Sequence, residues 1–336
     1  MTLSNIAQSC GISPATVSRA LSGHPNVRPE VRERVLAAAR SQGYQRNHLI
    51  STIMGQVRGA RTQRYVGNLA IVHVASPKQP EANPMQQRMV QAAEARSAEL
   101  GFQVESFNLG SRGLHAAGLG RMLRARGVLG VIFLQPDSNN VTEGFPWDDF
   151  ACLQIDYDSP HLVHHTISLD HHFTLVAALE RLHALGYRRI GLFIERHKNE
   201  RLVYKWSAAF RAVQENHRDI GRVPVLKTDV VQGAEFLAWQ REHEPDLVIG
   251  HVDRAVVWLR KAGRRVPQDI GFFNLNWNER SRPCAGLDLR PELHGVVAVE
   301  TLAAQIQRNE RGIPGDPRTV SISGRWVDGP TLRKAG

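Results

Sequence analysis

A single break, at Gly11-Ile12-Ser13-Pro14, constrains the start of the chain more tightly than any other feature. Ahead of it, Leu3, Ile6, Ala7 and Cys10 line one face of a short helix, which Gly11 and Ile12-Ser13 end sharply. Behind it, Ser13 suits an N-cap and Pro14 the first helical position, so a second helix is predicted over 14–21. Its Ala15, Thr16, Ser18 and Arg19 are small or polar and face outward. Two short helices joined by so tight a turn make a helix-turn-helix, the second helix being the reading one. Ser22-Gly23-His24-Pro25-Asn26 is a turn by composition. Pro29 then opens a third helix, with Val31, Val35, Leu36, Ala38 and Ala39 as its buried face and Gly43 as its stop.

Charge is concentrated in the same region. Residues 1–64 hold nine arginines, no lysine and two acids, so seven of the ten net positive charges sit in the first fifth of 336 residues. A basic stripe on a small helical module is the footprint of a phosphate-binding surface. Arginine in place of lysine favours forked contacts to phosphate or guanine. Cys10, Cys152 and Cys284 are odd in number, far apart and without a C-x-x-C, which argues for a reducing compartment and against a disulfide framework or zinc site. Neither a secretory leader nor a run of 18 apolar residues is visible, so a cytoplasmic protein with no membrane partner is expected.

The run I-A-Q-S-C-G-I-S-P-A-T-V-S-R-A-L resembles the headpiece pattern I-A-x-x-x-G-V-S-x-x-T-V-S-R-x-L of the lactose-repressor (LacI/GalR) family of bacterial transcription regulators. The third helix, the joint that follows and the C-terminal W-V-D-G-P-T-L-R also fit, so the resemblance spans nearly the whole chain. It implies that Pro14, Ala15 and Arg19 enter the major groove and that Thr16 and Ser18 meet phosphates. It further implies DNA contacts from Ser4, Ser13, Asn26, Arg28, Tyr44, Asn47 and His48. Arg28 stands where the family usually has Ser or Thr, which weakens the cap of the third helix but leaves a phosphate contact available.

Residues 44–64 read as a joint between domains. Against the family pattern Y-x-P-N-x-x-A-x-x-L, Tyr44 and Asn47 are kept, Arg46 replaces the Pro and Ile50 the Ala. A short helix over 48–57 would carry Leu49, Ile50, Ile53 and Met54. These apolar side chains either pack against the core or a partner hinge, or wedge into a minor groove, with Ile53 at the family's wedge position and Met54 beside it. Gly55, Gly59, Arg58, Arg61 and Arg64 suit a flexible basic linker.

From Tyr65 the pattern alternates. Strands are predicted at 66–74, 102–107, 128–134, 189–194, 247–249 and 271–275, and helices at 84–100, 114–126, 173–185, 202–215, 255–261 and 293–308, with 236–241 inside another. Such alternation means parallel, doubly wound sheets with helices on both faces. Leu100-Gly101-Phe102 recurs as Leu185-Gly186-Tyr187, which suggests two similar lobes. The resemblance implies a periplasmic-binding-protein-like core whose chain crosses between lobes three times, placed here near residues 158, 290 and 317. The expected layout is a helix-turn-helix headpiece over 1–46, a hinge over 47–64 and a two-lobed effector-binding and dimerisation core over 65–336.

An effector cleft is expected between lobes, at the C-terminal ends of parallel strands. Its candidates from the first lobe are Ser76, Gln79, Gln135 and Asp137. Asp170 suits either ligand contact or an N-cap. From the second lobe come Arg201, Trp206, His251, Asp253, Asn276 and Trp277. The set departs from sugar-binding relatives in three places: Trp206 stands at an Arg position, His251-Val252-Asp253 replaces an Asn-Asp pair, and Asn276 replaces an Asp. Trp206 and Trp277 either stack on a flat or sugar-like ligand or belong to the core. His161, His164, His165, His171 and His172 invite a metal reading, but no acid or Cys completes a ligand set and the segment reads as surface loop.

No G-x-G-x-x-G, G-x-x-x-x-G-K-S/T or G-x-S-x-G occurs, and no cofactor or catalytic group is expected. The reading that results is a homodimeric regulator that binds palindromic operator DNA under the control of a sugar-like metabolite. The alternative is a cytoplasmic solute-binding or sugar-processing protein with an incidental headpiece.

Overall fold

The computed structural model describes residues 3–21, 27–41, 65–74, 84–110, 114–134, 142–155, 164–279 and 281–334. The chain divides into two compact units, Met1–Thr62 and Gln63–Gly336. In the first, α1 (Leu3–Cys10), α2 (Pro14–Leu21) and α3 (Pro29–Ser41) close around Ile6, Ala7, Cys10, Val17, Ala20, Val35 and Ala39. The turn is held by the Ile12 N–H donating to the Ala7 carbonyl at 3.1 Å. Ser13 caps α2: its Oγ accepts the Thr16 N–H at 3.2 Å and lies 2.9 Å from Thr16 Oγ1.

The second unit holds two six-stranded sheets. In the first lobe, β1 (Gly67–Val74), β2 (Phe102–Leu109), β3 (Val128–Leu134), β4 (Ala151–Ile155), β5 (His165–Leu169) and the late strand β11 (Thr319–Ile322) run in the order β11-β5-β4-β3-β1-β2. All neighbours are parallel. In the second lobe, β6 (Ile190–Glu195), β7 (Leu226–Thr228), β8 (Leu247–Gly250), β9 (Gly271–Trp277), β10 (Ala285–Asp288) and β12 (Arg325–Val327) run β12-β10-β9-β8-β6-β7, with only β12 antiparallel. The first five strands of each lobe therefore share one winding order. The repeated Leu-Gly-aromatic phrase marks equivalent points in it: Gly101 and Gly186 end their helices at φ +83° and +88°, where a side chain would be strained.

Apolar clusters cover both faces of each sheet. The helix Pro291–Arg308 follows β10 yet belongs to the first lobe. Its Ala298, Val299, Leu302 and Ala303 share one cluster with Leu69 and Ile132 of that sheet and with Met89 and Ala93 of the helix Pro84–Glu99.

Four sequence expectations are corrected. The first crossover lies at Asp170, not near 158, because the His-rich stretch supplies a fifth strand, β5, buried along its whole length. From His164 to Leu169 that stretch is therefore interior and not surface loop, while His172 is exposed; burial lowers the pKa of His164 to about 4 and that of His165 in the same direction, keeping the imidazoles neutral enough to sit inside. The third crossover lies between Ile322 and Arg325, not near 317, because the chain first pairs as β11 with β5. The helix predicted over 202–215 begins only at Lys205 and runs to Asn216; an unpredicted short helix, Arg196–Arg201, precedes it, and Val203 and Tyr204 at φ +48° and +62° part the two. The second crossover, after Asp288, lies where expected.

Candidate nucleic-acid interface and effector cleft

Burying Val17 and Ala20 fixes which face of α2 is turned out. Ser13, Pro14 and Arg19 are exposed and Thr16 is half-buried. Ser4, Ala15 and Ser18 lie in the helical backbone, with side chains outside the described set. The hydroxyls of Ser13 and Thr16 are joined to each other, so the cap also sets the Thr16 rotamer. Neither α1 nor α2 contains an acid, and Arg28 is exposed beside the start of α3. A basic, acid-free helix held by its own cap is suited to meeting a phosphate backbone and reaching base edges with Arg19. Asn26, Tyr44, Asn47, His48, Ile50, Ile53 and Met54 fall outside the described residues.

All three crossovers leave the C-terminal ends of β5, β10 and β11, which turns the C-terminal edges of the two sheets toward one another. They are also laced together. The Asp170 N–H donates to the Ile322 carbonyl at 2.9 Å, and the Gly324 N–H to Thr174 Oγ1 at 3.0 Å. The buried Asp288 carboxylate takes the Arg290 N–H at 2.9 Å and Arg325 Nη2 at 2.7 Å. Asp170 itself caps the helix His171–Ala184, its Oδ1 accepting the Phe173 N–H at 2.9 Å. That cap starts the helix two residues before its predicted beginning.

On the second lobe's edge, Glu195 ends β6 and His251 follows β8. His251 Nε2 lies 3.1 Å from Glu195 Oε2, and Lys198 Nζ 2.5 Å from the same oxygen. The His251 hydrogen bond, then Lys198, hold Glu195 at a pKa of about 2 against the opposing effect of burial. Burial in turn lowers His251, with the Glu195 hydrogen bond opposing. The pair is thus an ionised carboxylate facing a neutral imidazole that donates from Nε2. Thr228, the end of β7, sits in register with Glu195.

The other candidates take different roles. Asp253 accepts the Arg282 N–H at 3.0 Å, tying down the loop after β9. Asn276 is exposed, its N–H bonded to Asn274 Oδ1 at 2.9 Å. Trp277 is half-buried against the Phe193–Phe236–Phe272 cluster. Trp206 is 5% exposed, lies in the second-lobe core and meets His171 edge-on at 4.8 Å. Arg201 is half-buried. Ser76, Gln79, Gln135 and Asp137 lie outside the described residues, as does His161. Glu195 and Lys198 were not among the sequence candidates, although an acid ending the apolar run I-G-L-F-I-E was a usable sign. Among the described residues no group of three or more His, Cys, Asp or Glu is placed to hold a metal ion, and no helix is long and apolar enough to cross a membrane.

Comparison with known proteins covers both units. Residues 2–47 match the family described as bacterial regulatory proteins, lacI family, and residues 179–332 match a periplasmic binding protein-like domain. Over 45 residues the chain is 51% identical to the HTH-type transcriptional regulator AglR of Rhizobium meliloti (strain 1021); the match spans 13% of this chain and 13% of that regulator. A solved complex of the transcriptional regulator CelR with cellobiose aligns over 98% of this chain and 99% of its own, at 20% identity and a TM-score of 0.58. A lac repressor dimer bound to operator and the anti-inducer ONPF aligns over 98% of both chains, at 19% identity and a TM-score of 0.58. At these identities the solved structures establish a shared fold.

Proposed function

The chain is a member of the lacI family of bacterial regulatory proteins, and from that premise we propose that it is a sequence-specific transcriptional regulator whose operator affinity is set by a small metabolite. The observation that carries the reading is α2: a Ser13-capped helix with Pro14 and Arg19 turned outward, inside the segment that matches a DNA-binding regulator at 51% identity. A homodimer on palindromic DNA is the natural assembly, because two equivalent reading helices then meet two half-sites. The lac repressor dimer on its operator, of like fold, supports it. The headpiece is assigned to 1–46, the hinge to 47–64 and the core to 65–336. In the hinge, Ile53 aided by Met54 is the wedge that opens the central base step.

The metabolite is assigned to the edge between lobes, where the three laced crossovers permit rotation of one lobe against the other. The cellobiose complex of a protein of like fold supports a sugar-like ligand. Binding alone cannot switch the protein; the ligand must favour one lobe arrangement over the other. Coupling of about 1–3 kcal/mol, or about 5- to 150-fold in operator affinity, is the usual scale. The protein acts in the cytoplasm as a regulator and not as an enzyme.

Selection of bound duplexes from random sequence, followed by gel shifts over a salt series, tests the reading. A palindromic consensus bound more tightly at low salt is expected. Retention of no sequence at any salt concentration would sink it, and turnover of a sugar by the purified chain would point to the enzymatic alternative.

A further inference from the structure

The rim of the second lobe carries more cations than its own acids occupy. Over 195–205 the sequence is E-R-H-K-N-E-R-L-V-Y-K. Lys198 is committed to Glu195, and Arg196 to Asp229 at 3.2 Å. Arg201 follows Lys198 by three residues on the helix Arg196–Arg201, so the two share a face. Its Nη1 is buried, yet among the described residues no acceptor meets it. A guanidinium cannot shed its proton to escape that penalty, and an unmet buried charged donor costs more than an ordinary missing hydrogen bond.

Two other polar residues of these elements are in the same condition. Among the described residues, Thr228, buried and in register with Glu195, has an Oγ1 without a partner, and the buried Asn199, on the same short helix as Arg201, has an unpartnered Oδ1. The rim therefore combines a charged donor lacking an acceptor with a hydroxyl and an amide oxygen lacking partners. A carboxylate or phosphate matches the arginine fork, and ligand hydroxyls match the other two atoms. A neutral sugar would satisfy the second demand and leave the first unmet.

We propose that the effector is a hydroxylated anion, a sugar acid or a sugar phosphate, whose acidic group is bound by Arg201. The proposal rests on the reading of this edge as the effector site. Carboxylate and phosphate share the chemistry that Arg201 selects, and the test separates them.

Thermal unfolding of the full chain at fixed ionic strength is followed with inorganic phosphate, acetate or glucose as separate probes. Wild type is compared with Arg201→Gln and Arg201→Lys. One or both anions are expected to raise the melting temperature of wild type by a few degrees through preferential binding to the folded state. Arg201→Gln should lose that rise and Arg201→Lys keep part of it, while glucose gives none. A rise with phosphate alone identifies a phosphate ester, and a rise with acetate identifies a carboxylate. The headpiece arginines also attract phosphate, so the difference between wild type and Arg201→Gln is the readout. Equal shifts in wild type and both variants, no shift with either anion, or a glucose shift that survives in Arg201→Gln would overturn the proposal. Should Arg201→Gln fail to fold, an undiminished rise in Arg201→Lys would count against it in the same way. A gel shift without added anion, run in parallel, reports on the regulator reading by itself: lost operator binding sinks that reading, whereas intact operator binding with no anion effect sinks only the assignment of Arg201.

Discussion

Arg325 Nη2 donates to Asp288 Oδ2 at 2.7 Å, and this one contact ties the second crossover between lobes to the third. Asp288 is buried while Arg325 is largely exposed, so the carboxylate is the fixed partner and the arginine the one that can leave. The other carboxylate oxygen takes the N–H of Arg290, which sits at φ +54° just before the helix Pro291–Arg308. Asp288→Asn keeps an acceptor for Arg290 but removes the charge facing Arg325. It should cost about 1.5–3 kcal/mol, the range for a hydrogen bond to a charged group. Asp288→Ala should cost more, because the Arg290 N–H is then unmet. Urea unfolding of both variants measures this; equal losses would show that Arg290 is satisfied by another route.

Acid should destabilise the core through buried histidine. The imidazole of His164 stacks on Trp147 at 4.4 Å, and burial first, then His165, lower its pKa from 6.5 to about 4. The folded chain thus binds fewer protons than the unfolded one between those values. Its contribution, on the order of 3 kcal/mol, is complete above pH 6.5 and is lost as pH falls to about 4. Glu195 acts lower down, its contribution complete above about 4.5 and lost as pH falls toward about 2. His164→Phe should keep the stacking and flatten the fall between pH 6.5 and 4. An unchanged pH profile of the urea midpoint would clear His164 of the effect.

The same histidines explain why part of the fold was hidden in the sequence. Strands built as unbroken apolar runs, such as Val128–Leu134 and Leu247–Gly250, were legible within a residue or so. β5 was not, because His164 and His165 gave a polar appearance to a segment that is buried. The break between Arg196–Arg201 and Lys205–Asn216 was equally hidden: Val203 and Tyr204 adopt positive φ with neither glycine nor asparagine to announce it. At the rim, His251 was legible, but its partner Glu195 is 56 residues away and reaches it only through the pairing of β6 with β8. Trp206 looked like a ligand platform because it stands at an Arg position of sugar-binding relatives, and periodicity alone could not reveal its burial in the core.

Gly295 should resist substitution. It lies where the helices Pro84–Glu99 and Pro291–Arg308 come close backbone to backbone: a Cβ there would overlap the Met89 carbonyl oxygen and stand 3.0 Å from the Ala93 backbone nitrogen. Alanine would gain about 1 kcal/mol in helix propensity. Backbone atoms cannot swing aside as a side chain can, so overpacking at the upper end of about 1–3 kcal/mol should win. A net loss of stability on Gly295→Ala is expected, with Gly315→Ala, which meets nothing within 4 Å, as a near-neutral control. A stabilised Gly295→Ala in thermal unfolding would mean that the helices part at little cost.

Arg19 should carry base discrimination in the first unit. Of the outward positions on α2, Pro14 has no side-chain hydrogen bond to give, and the Ser13 and Thr16 hydroxyls are engaged with each other at the cap. Arginine can present two donors to guanine O6 and N7, a pairing that separates the right base from the wrong one by about 1–3 kcal/mol. Arg19→Ala is therefore expected to relax preference at one base pair in each half-site and leave the other positions as they were. The alternative role, a phosphate contact, predicts a different pattern: binding weakens by a similar factor on every sequence, and the slope of log affinity against log salt falls by about one per lost contact. Competition binding on a consensus operator and its single-base variants, repeated at three salt concentrations, separates the two. Uniform weakening with a shallower salt slope would move Arg19 from the bases to the backbone and leave direct readout to other residues.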